Sequence, residues 1–181
     1  MLKKSKACPA KTNFIRSVVH YDEMLNASIY QPNGEIVQLG RLINHLHEEK
    51  FMVRLSCIGL KGYIDNPDEV ERLIQFAKKN KVEQVSYRSV NLPGKCENAE
   101  TCEYAKTHAV DIEPIRTYLD TRGTQLMKLA HGAIVYDCDG QNFCLTNCLT
   151  LDPNDEIIRQ LIFMPDGHLY YDWAHTGAIL L

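Results

Sequence analysis

Strand-like and helix-like segments alternate between about residues 12 and 123, and this alternation constrains the fold more than any other feature. Residues 14–20 are mostly apolar and β-branched, and residues 36–49 carry apolar side chains at the spacing of one helical face. Strand character returns over residues 51–58 and 82–90. Because strands joined by helices run parallel with right-handed crossovers, the sequence predicts an α/β fold with about three parallel strand–helix units.

The helix between the second and third strands has the clearest boundaries. Asn66 suits the N-cap, and Pro67 suits the first turn, where a missing N–H costs no helical hydrogen bond. Asp68 and Glu69 complement the positive end of the helix dipole. Residues 78–81 close the helix with lysines and an asparagine that is able to adopt a positive φ.

A long connection follows the third strand. Residues 91–108 are rich in Gly, Pro, Asn and Glu, and at about 18 residues they exceed the ~12–15 usual for a structureless connection. We therefore expect this connection to be functional or mobile. A shorter helix is predicted over residues 112–121, and it ends at Gly123.

The pattern then changes, and two antiparallel hairpins are predicted in the last third of the chain. Residues 127–136 and 143–149 flank an Asp-Gly turn, which is the strongest short-range hairpin signal when apolar runs surround it. Residues 157–164 and 168–173 flank a Pro-Asp-Gly turn in the same way. Strands joined by such short turns must pair antiparallel.

Charge and composition argue against several classes of function. The formal net charge is −3, so no basic bias indicates nucleic-acid binding. No stretch approaches the ~18 consecutive apolar residues of a membrane span, and the basic start of the chain lacks the apolar run of a signal peptide. Seven cysteines are an odd number for a disulfide framework, so we expect reduced thiols in a cytoplasmic protein.

Active sites of parallel α/β arrays lie at the carboxyl ends of the strands. Here each predicted strand is followed by polar residues. They are Ser17, His20 and Asp22 after the first strand, Ser56, Lys61 and Gly62 after the second, and Arg88 and Ser89 after the third. His20 titrates near neutral pH, but the sequence identifies no substrate on which it would act as an acid or a base.

Three of these stretches together resemble a known family. Residues 17–22 read Ser-Val-Val-His-Tyr-Asp, residues 53–65 run from Val-Arg-Leu-Ser-Cys through a Lys-Gly turn, and residues 82–88 end in an arginine. In order and spacing they resemble strands four, five and six of radical S-adenosylmethionine (SAM) enzymes, in the subgroup of the molybdopterin-precursor cyclase.

The resemblance covers about residues 12–90 and fades beyond them. It implies a truncated radical-SAM-like β/α unit over residues 1–123, followed by a β-hairpin region over residues 124–181. The predicted fold is thus a partial (β/α) barrel of about three parallel strand–helix units followed by two antiparallel β-hairpins. A full barrel would add a strand beside residues 14–19, so we expect this open edge to hold a partner chain, a second copy, or residues 1–11.

The resemblance also implies residues that bind the cofactor. Ser17 corresponds to a contact with the methionine end of SAM, and Arg88 lies near the position that meets the SAM carboxylate or the substrate. Ser56 stands where many members place an asparagine against the ribose. A hydroxyl offers one donor at this position, whereas an amide offers two donors and a carbonyl acceptor.

The family binds its 4Fe-4S cluster with a Cys-x3-Cys-x2-Cys motif, which this sequence does not contain. Its cysteines are at positions 8, 57, 96, 102, 138, 144 and 148. Because the cluster needs converging thiolates, we do not expect this chain alone to hold the cluster or to cleave SAM reductively. We therefore predict no catalytic residues and no catalytic activity for this chain alone.

Three functional hypotheses remain from the sequence. In the first, the chain is a truncated radical-SAM-like protein without independent catalysis. In the second, it is one half of a split radical SAM enzyme that an upstream chain completes. In the third, it is a binding or regulatory module that uses the same scaffold.

Cysteine spacing also suggests candidate metal ligands. Cys144 and Cys148, with Cys138 nearby, have the spacing of a thiolate site. Against this, zinc needs four ligands, and cysteines on a hairpin strand often pack as small apolar side chains. Cys102 and His108, with a further cysteine in the long connection, form a second group with looser spacing.

Overall fold

Alternating strands and helices build the protein, as the sequence predicts. A computed structural model describes residues 12–90, 99–129, 132–146, 161–163 and 167–170. In chain order the elements are β1 (Asn13–Val18), α1 (Glu23–Tyr30), α2 (Leu39–Glu48), β2 (Met52–Gly59), α3 (Pro67–Lys79), β3 (Gln84–Ser89), α4 (Ala99–Thr107), α5 (Glu113–Arg122), β4 (Thr124–Lys128), β5 (Ile134–Cys138), β6 (Gln141–Thr146), β7 (Ile162–Phe163) and β8 (Leu169–Tyr170).

A six-stranded sheet in the order β1-β2-β3-β6-β5-β4 organises the described residues. The pairs β1–β2, β2–β3 and β3–β6 are parallel, whereas β4, β5 and β6 pair antiparallel. The predicted α/β class with parallel strand–helix units is therefore confirmed. The hairpin strands do not stand apart from this unit, because β6 joins β3 and extends the same sheet.

Both predicted hairpins have described counterparts. The Asp-Gly turn joins β5 to β6 as expected, but residues 127–136 are not one strand. They divide between β4 and β5, since Gly132 at φ 84° makes a turn in which its N–H donates to Leu129. The second hairpin is the two-stranded pair β7–β8, and the rest of that prediction lies outside the described residues.

Helices cover one face of the sheet and bury its apolar residues. The main contributions from the strands are Val53, Leu55, Cys57, Val85, Tyr87, Phe143 and Leu145, and those from α2, α3 and α5 are Ile43, Val70, Leu73, Ile74, Ile115 and Leu119. Burial of each such aliphatic side chain contributes about 1.5–3 kcal/mol. The alternate strand residues point to the other face and stay partly or fully exposed, and we call this the open face.

The α3 helix follows its sequence signals. The Asn66 side chain accepts the Glu69 N–H at 3.1 Å, and Pro67 occupies the first turn. At the other end Asn80 keeps a negative φ of −93°, so it does not adopt the expected positive φ. The left-handed residue is the next one, Lys81, at φ 58°.

Two helices were absent from the sequence prediction. In α1 the Asp22 side chain caps the first turn by accepting the N–H groups of Met24 and Leu25, yet none of the residues of α1 is buried. The α4 helix lies within the connection predicted as a structureless loop, and it buries only Ala105. Since neither helix shows a regular apolar stripe, hydrophobic periodicity gave no signal for them.

The thiols and the helix lengths bear on the remaining expectations. Cys57, Cys138 and Cys144 are free, as predicted. Cys102 is disulfide-bonded, so the prediction of reduced thiols is wrong there. None of the helices in the described ranges is both long enough and apolar enough to cross a membrane.

Candidate functional site

A row of hydroxyl groups crosses the open face. Ser17 on β1 pairs directly with Ser56 on β2, and Ser56 pairs with Ser86 on β3. Cys144 on β6 pairs with Ser86 and continues the row, and we call these four residues the serine row. Neighbouring strands lie about 4.8 Å apart, so the four side chains form one line about 14 Å long. The structure therefore brings together two of the three predicted cofactor-binding residues.

The third predicted residue, Arg88, lies on the same open face. It is two residues beyond Ser86 on β3 and pairs with Ile58, which puts it nearer the carboxyl ends of the strands. Arg54 lies two residues before Ser56 on β2, so one guanidinium group lies on each side of the serine row, toward the amino and the carboxyl ends of the strands. Within the described part of the chain, neither arginine has a carboxylate partner.

The pKa values of two side chains, Tyr30 and Cys144, are shifted by burial and by the charges of nearby arginines. Burial raises the pKa of the Tyr30 hydroxyl at the end of α1, and the charges of Arg16 and Arg88 oppose that rise. Burial also raises the pKa of the Cys144 thiol, against the influence of Arg54. Cys144 is thus a neutral thiol at neutral pH and not a nucleophilic thiolate.

His20 closes the carboxyl end of β1 and uses both ring nitrogens. Its Nδ1 accepts the Asp22 N–H at 2.8 Å, and its Nε2 lies 3.5 Å from Oε2 of Glu69. The proton of the neutral ring is therefore on Nε2. Burial lowers the pKa of His20, while Glu69 and Asp22 oppose this shift. With both nitrogens engaged, His20 positions the loop and is not available to a substrate.

Glu69 ties this loop to the start of α3. Oε2 of Glu69 accepts the Tyr21 hydroxyl at 2.9 Å, and Oε1 accepts from Arg72. The Tyr21 ring stacks on Phe76 of α3 with centroids 5.9 Å apart. Burial, with the adjacent Glu69 carboxylate, raises the pKa of Tyr21. A carboxylate that is held this firmly fixes the loop beside the serine row.

Tyr87, on the helix-covered face of the sheet, supports the turn after β2. The Tyr87 hydroxyl donates to the carbonyl of Ile64 at 2.7 Å, and its ring fills the space beside Gly59. The Gly62 N–H donates to the Asp65 carboxylate at 2.7 Å, with Gly62 at φ 86°. The Lys-Gly turn at the end of β2 is therefore held by several hydrogen bonds, since the Lys61 N–H also donates to the His108 carbonyl at 3.0 Å.

The structure does not bring the candidate metal ligands together. Cys138 packs in the helix-covered core, whereas Cys144 lies on the open face. Cys148 lies outside the described residues. In the ranges that the structure covers, no three His, Cys, Asp or Glu side chains are grouped to hold a metal ion. Cys102 is disulfide-bonded, so its sulfur is not a free ligand beside His108.

A shallow groove of about 300 Å³ lies at the opposite end of the sheet. Two of its polar side chains already serve the fold, because Oε2 of Glu83 accepts the Val53 N–H at 2.7 Å and contacts His47 at 3.2 Å. The groove is lined by His47, Lys50, Phe51, Met52, Lys81 and Glu83. It does not include any residue of the serine row or either arginine of the open face.

Ser86 and Arg54 complete the open face but were not among the predicted site residues. Both occupy strand positions of the same parity as the predicted ones, so a register alignment of the three strands would have found them. Comparison of the chain with protein-family models and with curated proteins finds no match. The chemistry of the open face is therefore the basis for any functional assignment.

Proposed function

We propose that this chain is a radical-SAM-like partial barrel whose open face binds SAM, or a closely related nucleoside, without cleaving it. One observation carries the proposal: Ser17, Ser56 and Arg88 share one face near the carboxyl ends of parallel strands. The resemblance to the molybdopterin-precursor cyclase subgroup implies cofactor contacts at the same three residues. Ligand sites of parallel α/β sheets concentrate at this end of the strands.

The residues on the open face suit the polar groups of SAM. The α-carboxylate of SAM matches the planar guanidinium of Arg88, which can donate two parallel hydrogen bonds. Its ribose hydroxyls match the hydroxyls of Ser56 and Ser86, each of which is both a donor and an acceptor. All three side chains are partly exposed to solvent.

The 4Fe-4S cluster of the family does not fit the residues that the structure describes. The cluster requires converging thiolates, and Cys57, Cys138 and Cys144 do not form a group of three. Reductive cleavage of SAM would need cluster ligands from elsewhere in the polypeptide or from another chain. The proposed function is therefore binding, and no redox step is assigned.

A partial (β/α) barrel of about three parallel strand–helix units is the finer fold that we propose. In a (β/α) barrel the helices form the outer ring and the other face of the sheet lines the interior. Here α2, α3 and α5 cover one face, and the polar residues of the open face would line that interior. Residues that would bind SAM then lie at the top of the interior, where barrel sites form.

Calorimetric titration of SAM tests the proposal. We expect Arg88→Ala to weaken binding about 10- to 100-fold, since a hydrogen bond to a charged group contributes about 1.5–3 kcal/mol. Arg41→Ala, which removes an exposed arginine of α2, is the matched control and should leave the affinity unchanged. Ser56→Asn should tighten binding, because the amide adds a donor and a carbonyl acceptor toward the ribose.

Three outcomes would contradict this assignment. Absence of SAM binding by the unmodified chain, or equal loss in Arg88→Ala and Arg41→Ala, would remove the ligand from the open face. Formation of a cluster and of 5′-deoxyadenosine by this chain alone, after anaerobic reconstitution, would show that it is catalytic and not only a binding module.

A further inference from the structure

The outer edge of β1 presents a regular set of unpaired peptide groups. The Thr12 carbonyl accepts the Met52 N–H at 3.0 Å, so the even-numbered residues of β1 direct their peptide groups toward β2. Asn13, Ile15 and Ser17 therefore direct their N–H and C=O groups away from the sheet. Among the residues that the structure describes, β1 pairs with β2 alone and these outward groups have no partner.

This edge lacks the features that usually prevent strand addition. Phe14 and Ile15 are 36% and 57% exposed, and the ladder to β2 has no bulge. Arg16 is the one charged residue of β1, and its buried Nε has no hydrogen-bond partner among the residues that the structure describes. Beyond the strand, the Val19 N–H is capped by the Asn26 side chain at 2.9 Å.

We propose that a second copy of this chain occupies the β1 edge, pairing antiparallel across a two-fold axis at Ile15. The three outward-facing residues are symmetric about Ile15, so each Ile15 exchanges two backbone hydrogen bonds with its counterpart. Asn13 pairs with Ser17 of the second copy in the same way, and the interface gains about six backbone hydrogen bonds. A two-fold contact of this kind is isologous and closes after two chains.

Side chains in this register are complementary. On the open face Ile15 meets Ile15, and Asn13 lies beside Ser17 of the second copy. On the helix-covered face Phe14 lies opposite Arg16 of the second copy, which allows a cation–π contact. No like charges oppose each other. The proposal depends only on the β1 edge and is independent of whether the open face binds SAM.

Disulfide trapping tests the register directly. In the proposed dimer the two Cα atoms at position 15 lie about 5.5 Å apart, within the range that a disulfide spans. Ile15→Cys should therefore form a covalent dimer under mild oxidation. Ser17→Cys is the matched control, because the two positions 17 are offset by four residues, about 13 Å, and should not cross-link. The unmodified chain measures any background from native thiols.

Light scattering tests the dimer without a cross-link. The unmodified chain should have twice the mass of one chain, and Ile15→Pro should be a monomer with an unchanged circular dichroism spectrum. Proline at this position removes only an outward N–H, which edge strands tolerate. A monomeric wild-type chain at about 10–100 μM, or equal trapping at positions 15 and 17, would overturn the proposal. If Ile15→Pro does not fold, the trapping pair still decides.

Discussion

Gly59 lies beside the buried ring of Tyr87 at the carboxyl end of β2, where no side chain fits. An ideal Cβ at Gly59 would lie 2.5 Å from Cζ of Tyr87 and closer still to its hydroxyl oxygen. Carbon atoms in contact are about 3.5–4.0 Å apart, so alanine at Gly59 requires the ring to move by about 1 Å. Tyr87 is fully buried, so a movement of its ring must displace the side chains that pack around it.

The expected cost of Gly59→Ala is about 3 kcal/mol. Overpacking a close-packed core costs about 1–3 kcal/mol. A shifted ring also loses the hydrogen bond from Tyr87 to the Ile64 carbonyl, now 2.7 Å long, and leaving that buried group unpaired costs about 1–3 kcal/mol. These two costs overlap, because a ring that moves further relieves the overpacking but loses more of the hydrogen bond. The total is therefore larger than either cost alone and smaller than their sum.

Urea unfolding followed by circular dichroism measures this cost, with Tyr87→Leu as the second arm of a double-mutant cycle. The double variant should be at least about 1 kcal/mol more stable than additivity predicts, because leucine removes the atoms that clash. Gly140→Ala is the control: it has a positive φ but open space, so it should cost about 1 kcal/mol and add independently to Tyr87→Leu. A loss below about 1 kcal/mol for Gly59→Ala, with no coupling, would refute the reasoning.

Two further predictions concern the loop after β1. Because burial lowers the pKa of His20, the neutral ring is the stabilising form, and stability should fall as the pH drops below the usual histidine value of 6.5. His20→Gln should flatten the dependence of the urea midpoint between about pH 5 and 6.5, and an unchanged dependence would contradict this origin. Glu69→Gln should lower the free energy of unfolding by about 1–2 kcal/mol, chiefly through the weakened hydrogen bond from Tyr21, whereas the exposed Asp68→Asn should change it by less; equal losses would argue against the Glu69 contacts.

Much of the parallel part of the fold was predictable from local signals. The α3 helix carries an N-cap, a first-turn proline and an apolar stripe that agree with one another, and the structure places that helix within about one residue of the prediction. In contrast, α1 and α4 bury almost nothing, so their sequences carry no helical periodicity to detect. Their formation depends on capping and tertiary context, which composition does not report.

Non-local pairing was the part that the sequence did not reveal. The parallel pairing of β3 with β6 joins residues such as Val85 and Phe143, which are far apart in the chain. Local turn signals identified the β5–β6 hairpin but contain no information on which strand lies beside it. The same limit applies to Ser86, whose place in the serine row follows from register and not from its neighbours in sequence.

His20 shows how local chemistry escapes a sequence pattern. The sequence left its role open, because His20 follows β1 but the sequence identifies no substrate for an acid or a base; in the structure the Asp22 N–H occupies Nδ1 and Glu69 lies against Nε2. The first contact comes from the tight loop after β1. The second comes from α3, where Glu69 lies 48 residues along the chain from the neighbouring Tyr21. A titratable residue at a strand end therefore becomes a structural one once its partners are known.

The location of the SAM site on the open face is the central claim, and amide chemical shifts measure it most directly. Titration of the isotope-labelled chain with SAM should produce its largest shifts at Ser17, Ser56, Ser86 and Arg88. Arg88→Ala should need about 10- to 100-fold more SAM to reach the same shifts. Shifts centred instead on the groove at the amino ends of the strands, at Lys50, Lys81 and Glu83, or no saturable shifts at all, would contradict the account.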